Sequence, residues 1–366
     1  MPKDKAFPGR GASPHHARNR RIGEEMKLRS TILTGLLASA ALACGAAGAS
    51  AGTLDTVKGK GQLTCGANTS LAGFGIPDDK GQWTGLDVDV CRAIAAAVLG
   101  DSKKVKFVPL DAKNRFTALQ SGEVDVLSRN TTATSSRAST LGLIFGPPDY
   151  YDGQGFMVKT KLGVNSAKDL NGASVCVQQG TTTELNLADF FRSNNMKYES
   201  VAFQSEDEAL KAYDTGRCDA FTTDASGLYA ECLRLANPND NVVLPEIISK
   251  EPLAPSVRQG DDQWYDVMAY TFYAMLDAEE LGVTSKNVDD MKKSTDPNIR
   301  RLLGVEGEQG KGFGLSNDWA YNIIKQVGNY GEVFDRNVGE GSPLKIKSGI
   351  NALWNKGGIQ YGMPIR

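Results

Sequence analysis

From position 62 onward the apolar residues fall into short runs separated by amphipathic stretches. Gln62–Cys65 reads as a strand, and Leu86 to Leu99 reads as a helix with Val90, Ile94, Ala97 and Val98 at helical spacing. Asp87 and Asp89 fall in the first turn of that helix, where its dipole favours acids. Val105–Val108 is a strand, Arg115–Gln120 a helix closed by Ser121-Gly122, and Val124–Leu127 a further strand. This βαβα order predicts an α/β fold on a largely parallel sheet covered on both faces.

The alternation pauses at the polar, Gly-rich Tyr150–Gly155 and resumes with the apolar Phe156–Val158. Ala173–Val177 is then a strand, Thr183–Asn194 and Glu206–Thr215 are helices, and Asp219–Thr222 is a strand. A second link, Ser249–Pro255, precedes a helix-rich tail from about Asp261. The two halves share one construction: a helix, a Gly-containing turn, an acid, an apolar strand and a polar exit, as in SGEVDVLSRN and TGRCDAFTTD. That repetition predicts two α/β lobes with a cleft between them, and 366 residues suffice for two cores. Hinge segments are expected near Gly153–Gly155 and Leu253–Ser256, with Tyr150 and Tyr151 packing beside them. Trp264, Trp319 and Trp354 of the tail are expected to be core and lobe-covering residues.

The N-terminal pattern differs. Met26-Lys27-Leu28-Arg29 is a short basic start, Ile32 to Ala43 an apolar run, and Ala49-Ser50-Ala51 a small-x-small site before Gly52. This reads as a secretory signal with its start at Met26 and cleavage after Ala51, so that residues 1–51 form a removable leader. The run is too short to span a bilayer. Charge follows the same division. The leader carries eight Lys/Arg and three Asp/Glu, which leaves 33 cations against 40 anions, a net charge of −7, in the remainder. An acidic body argues against nucleic acid as partner.

Both histidines, His15 and His16, lie in the leader. Without it, histidine triads, histidine bases and histidine-ligated metals are excluded, and no metal or cofactor site is expected. Five cysteines follow the leader, none in a CxxC spacing. In an oxidising compartment they are expected to pair as Cys65 with Cys91 and Cys176 with Cys218, leaving Cys232 free.

The chemistry gathers at strand exits. Val124–Leu127 runs out into Ser128, Asn130, Thr131 and Thr132, with Arg137 five residues further on. Hydroxyls, an amide and a guanidinium beyond a strand's carboxyl end suit a small carboxylate. In the second half, Gly180-Thr181-Thr182 opens a helix, where free amides and hydroxyls can hold an anion, though helix capping by Thr181 or Thr182 explains the same residues. Asp224 lies beyond another strand and offers a carboxylate for an ammonium group. One cation, one anion-binding helix start and one anion are what an α-amino acid requires.

In this order and spacing, Gly85-Leu86-Asp87-Val88-Asp89, Leu119 to Val126, Thr132 to Arg137, Gly180 to Glu184 and Asp219 to Asp224 resemble the amino-acid-binding periplasmic proteins of ABC transporters. Residues 52–366 are most similar to the general L-amino-acid-binding branch of that family. The resemblance implies a type II periplasmic binding protein fold, in which each lobe is a mixed, mainly parallel sheet flanked by helices, with a two-strand hinge. It divides the chain into 52–154 plus 253–366, one lobe with a helical C-terminal extension, and 155–252, the other. It implies that Arg137, Thr132 and Thr182 clamp an α-carboxylate with Gly180 and Thr181 alongside, that Asp224 and Asn130 take the α-ammonium, and that Phe74 lies near the cleft mouth. Leu71 departs from the family pattern, which often has a stacking aromatic there. So does Arg115, where relatives often place an apolar or aromatic residue; Arg115 either favours acidic and amide side chains or lies on a surface. Gln178 is a further candidate for the side-chain pocket. The implied partners are an L-amino acid and inner-membrane permease subunits, with the protein a periplasmic monomer that uses no cofactor. The competing expectation is an enzyme of cyclohexadienyl dehydratase type on the same fold, or a ligand sensor.

Overall fold

The computed structural model describes residues 52–366, so the readings at Met26, Ile32–Ala43 and Ala51 and both histidines lie outside the described residues. Two five-stranded sheets share one plan. In the first, the order is Val105–Pro109, Leu63–Ala67, Val126–Leu127, Ser256–Arg258, Leu143–Phe145; in the second it is Glu199–Phe203, Ser174–Gln178, Ala220–Asp224, Gln154–Lys159, Asn241–Val243. The first three strands of each run parallel. The fourth, Ser256–Arg258 or Gln154–Lys159, runs antiparallel to both its neighbours. Topology explains the reversal. Each of these two strands starts just after the chain has crossed from the other lobe, so it enters its sheet from the cleft, where the parallel strands end.

The crossings themselves pair. Tyr150–Asp152 and Glu251–Leu253 form an antiparallel two-stranded ribbon with Asp152 opposite Glu251. The paired segments lie just upstream of the expected hinge positions, ending before Gly153–Gly155 in the first link and overlapping Leu253–Ser256 only at Leu253 in the second. Ladder hydrogen bonding between the two segments, which composition does not register, sets them there. Gly153 follows the ribbon because nothing larger fits: a Cβ would lie 2.2 Å from Ile247 Cγ2 and 2.8 Å from the Ser249 carbonyl.

Helix Leu86–Leu99 is buried along most of its length. The first sheet covers one side, and the tail helices Asp262–Glu280 and Trp319–Gln326 cover the other. Trp264 and Trp319 are buried there, and the Trp264 indole donates to the Asp125 carbonyl at 2.9 Å. Trp354 departs from expectation: it is half exposed and held at the surface by a 3.1 Å bond to Glu280. The second lobe has its own core around Phe156, Val175, Leu187 and Phe191. Disulfides join Cys65 to Cys91 and Cys176 to Cys218, while Cys232 donates to the Pro238 carbonyl. Each bridge closes a loop, of 26 and 42 residues, worth about 3–4 kcal/mol of denatured-state entropy.

Candidate ligand-binding site

The first-lobe side of the cleft is the loop 128–132. Strand Val126–Leu127 is only two residues long because the loop after it is tied to a helix. Asp87, in the first turn of Leu86–Leu99, accepts from the Asn130 backbone N–H at 2.6 Å and from the Ser128 hydroxyl at 3.4 Å. The tether holds Asn130 at φ 33°, in the left-handed region that asparagine tolerates better than most residues. The Asn130 side-chain oxygen accepts from Asn68 at 3.0 Å and from Arg129 at 3.4 Å.

Arg137 lies in the short helix Ser135–Thr140, whose Thr134 cap accepts from the Arg137 backbone N–H. Its Nη1 donates to the Thr132 carbonyl at 2.8 Å, and its guanidinium packs 5.0 Å from the centre of the Phe116 ring. Those two contacts fix the plane of the fork and leave its other N–H groups uncommitted among the described residues. Burial lowers its pKa, and the carboxylates of Glu251 and Asp224 oppose that shift.

Across the cleft, Thr181 caps helix Thr182–Ser193 and Gly180 takes φ 76° to enter it. The Thr181 hydroxyl donates to the Gln178 carbonyl at 2.7 Å, the Gly180 N–H to Glu184 at 2.9 Å, and the Gln178 amide to the Gln204 carbonyl at 3.2 Å. The polar groups of these three residues are therefore engaged locally; Gly180 packs against the backbone of Lys113 on the other lobe, and Thr182 is the one whose side chain makes a polar contact there. Its hydroxyl lies 3.2 Å from that of Thr132. As the first helical residue, Thr182 also has a backbone N–H with no intrahelical acceptor.

Asp224 ends strand Ala220–Asp224 and precedes helix Ala225–Cys232, yet makes no side-chain cap. It is 8% exposed, and its carboxylate has no hydrogen bond or ion pair among the described residues. Burial raises its pKa well above the usual value, with Asp152 and Glu251 adding repulsion and Arg115 opposing it. Phe74 is buried edge-on to Tyr150, 5.2 Å between ring centres, within the first-lobe core. Arg115 is not a surface residue: it is 3% exposed, and its Nη1 points to the Arg129 carbonyl and the Thr131 hydroxyl at 3.4 and 3.2 Å.

Sequence reasoning missed Glu251. Its carboxylate, 1% exposed, accepts from Thr132 Oγ1 at 2.6 Å, Thr182 Oγ1 at 2.8 Å, Asn186 Nδ2 at 2.6 Å and Ser249 Oγ at 2.7 Å. Two of those donors are the threonines expected to face a ligand. Each hydroxyl has a single hydrogen, and Glu251 takes both, which leaves the backbone N–H groups of the two threonines as the donors for an incoming carboxylate. A glutamate in a polar link carries no pattern that marks it; only the pairing of the two crossings brings it under both threonines.

Buried acids make stability depend on pH. Burial pushes Asp87 up to about 7 and Asp152 up to about 6, Asp152 also feeling Glu251. A carboxyl whose folded pKa exceeds its unfolded value holds more protons when folded, so its contribution is fully present below 3.8 and is lost as pH rises through about 7. The ligand-free protein is expected to melt higher at pH 5 than at pH 8 in scanning fluorimetry at constant ionic strength. Equal or reversed melting temperatures would contradict this account.

The sequence model of the bacterial extracellular solute-binding proteins, family 3, matches residues 63–287. The general L-amino acid-binding periplasmic protein AapJ of Rhizobium johnstonii is 59% identical over 93% of the chain and all of its own length. The glutamate/glutamine/aspartate/asparagine-binding protein BztA of Rhodobacter capsulatus is 54% identical over the same shares. Among solved structures, a periplasmic binding protein of an ABC transporter from Brucella ovis, with glutathione bound, superposes with a TM-score of 0.85 at 61% identity, covering 87% of this chain and 100% of its own.

Proposed function

The chain belongs to the bacterial extracellular solute-binding proteins of family 3, and from that premise we propose that it captures L-amino acids in the periplasm and delivers them to an inner-membrane ABC permease. The observation that carries the reading is the opposition of Arg137 and Asp224. One is a guanidinium on the first lobe, the other a buried carboxylate on the second without a side-chain partner among the described residues, and the Asp224 charge opposes the lowering of the Arg137 pKa. A zwitterion satisfies both. Its carboxylate takes the Arg137 fork with the Thr132 and Thr182 N–H groups, and its ammonium takes Asp224.

A ligand gripped from both lobes binds the closed form better than the open one, and that difference drives closure about the hinge ribbon. The closed protein is then what the permease distinguishes from the empty one. Acidic and amide side chains are favoured, because Arg115 is buried beside the clamp. The γ-glutamyl end of glutathione carries the same α-carboxylate and α-ammonium, so the same clamp accommodates it. The role is capture without chemistry.

Calorimetry of the purified protein is expected to detect glutamate, glutamine, aspartate and asparagine as L-isomers, with D-isomers and simple sugars giving no heat. Glutathione belongs in the same panel, and the bound ligand is expected to be recovered unchanged. Failure of every amino acid to bind would end this reading; conversion of the ligand would replace capture with catalysis.

A further inference from the structure

The hinge ribbon is fastened to the first lobe along both of its edges. Beside Glu251–Leu253, the Ala133 N–H donates to the Pro252 carbonyl at 2.8 Å and the Ala254 N–H to the Thr131 carbonyl at 3.0 Å. Beside Tyr150–Asp152 no third strand follows, and a bare strand edge leaves its outward backbone groups without partners. Three side chains of the C-terminal extension take that place. Gln360 Nε2 donates to the Pro148 carbonyl at 3.0 Å and the Tyr330 hydroxyl to the Asp149 carbonyl at 2.9 Å. Asn351 meets Tyr151 twice, accepting from its N–H at 2.6 Å and donating to its carbonyl at 3.0 Å. One side-chain amide thus makes the two bonds that a residue of a neighbouring strand would make.

These side chains are built in rather than laid on. Each is at most 5% exposed. Tyr330 opens helix Tyr330–Asn337, and the segment carrying the other two is closed on itself by Gln360 N–H to the Ala352 carbonyl at 3.1 Å and Trp354 N–H to the Gln360 carbonyl at 2.9 Å. All three lie beyond residue 287, where the match to the family's sequence model ends. Toward the second lobe the crossings are held differently. Gly153 gives its carbonyl to the Ala225 N–H of that lobe at 2.8 Å, and Gln154 is already in the second sheet. On the return crossing, Lys250 makes no hydrogen bond among the described residues, between Ser249 and the ribbon strand.

We propose that Tyr330, Asn351 and Gln360 are positioning residues for capture, which lock the ribbon to the first lobe so that closure turns at Gly153 and Lys250 alone. The inference rests on the capture reading and gives the extension a part in it. A ribbon free along its whole length reaches more open arrangements than one that bends only where it enters the second lobe. Restricting those arrangements reduces the entropy lost on closing and enlarges the fraction of molecules able to grip a ligand from both lobes. The effect is blind to the ligand side chain, because the brace touches the hinge and not the cleft.

Small-angle scattering and calorimetry on Asn351→Leu and Tyr330→Phe test this. The first keeps the side-chain size and removes both bonds to Tyr151; the second removes one hydroxyl and keeps the ring, so it serves where the first fails to fold. Without ligand, each variant is expected to show a larger radius of gyration than wild type, and with saturating glutamate the wild-type value. Glutamate, glutamine and alanine are expected to weaken by one common factor, about threefold to tenfold for Asn351→Leu, as the competent fraction falls. Lower melting temperatures with unchanged ligand-free scattering and unchanged affinities would overturn the proposal, since the side chains would then only support the fold. Factors that differ between the three ligands would overturn it too. If the wild-type protein binds none of the three, the capture reading fails, and the ligand-free scattering still decides whether the extension braces the hinge.

Discussion

Arg137→Ala is expected to weaken amino-acid binding by about thirtyfold to several thousandfold, the 2–5 kcal/mol typical of truncating one partner in a buried, hydrogen-bonded charge pair. The size follows from placement. The Arg137 fork is held in one plane by the Thr132 carbonyl and the Phe116 ring, so a carboxylate meets donors whose ordering cost was met during folding. Removing it also leaves the ligand carboxylate close to Glu251, whose negative charge Arg137 otherwise balances. Arg137→Lys keeps the charge and loses the two-pronged geometry, and its affinity is expected to fall between those of alanine and arginine. Calorimetry with glutamate reads both. Wild-type affinity in the alanine variant would remove Arg137 from the site.

Glu251→Ala is expected to cost several kcal/mol of stability and to weaken ligand binding as well. The carboxylate receives four hydrogen bonds at 2.6 to 2.8 Å. A buried donor left without an acceptor costs about 1–3 kcal/mol, and alanine leaves four to find new partners. Their origins make the effect more than local: Thr132 belongs to one lobe, Thr182 and Asn186 to the other, and Ser249 to the crossing. Glu251→Gln does not repair the loss, because its amide accepts at one end and presents N–H groups to donors at the other. Denaturant midpoints measure the stability change and calorimetry the binding change. A variant with wild-type midpoint and affinity would show that the threonines hold their places without it.

The contrast between Arg137 and Glu251 shows where sequence was informative. Arg137 follows an apolar strand and a run of hydroxyl residues, in a spacing that points to an anion. Glu251 follows a lysine and precedes a proline in a polar link, a setting shared with many solvated acids. Arg115 was ambiguous for a related reason. Its helix is amphipathic, and whether such an arginine faces water or loop 129–131 depends on what packs against it. Gln178, Gly180 and Thr181 show the opposite case: each stands beside the helix start as expected, with the polar groups engaged in capping and strand-edge bonds.

Local pattern determined the alternation of strands and helices, the first-turn acids of Leu86–Leu99 and the polar strand exits, because each depends on residues within a turn or two of one another. Tertiary structure alone decided the rest. The reversed fourth strand of each sheet and the hinge ribbon come from where the chain re-enters a lobe. The burial of Arg115 and Asp224 with no ion pair among the described residues comes from two surfaces meeting across a cleft. The desolvation that gives those charges their effect belongs to the assembled cleft and to no segment of the chain.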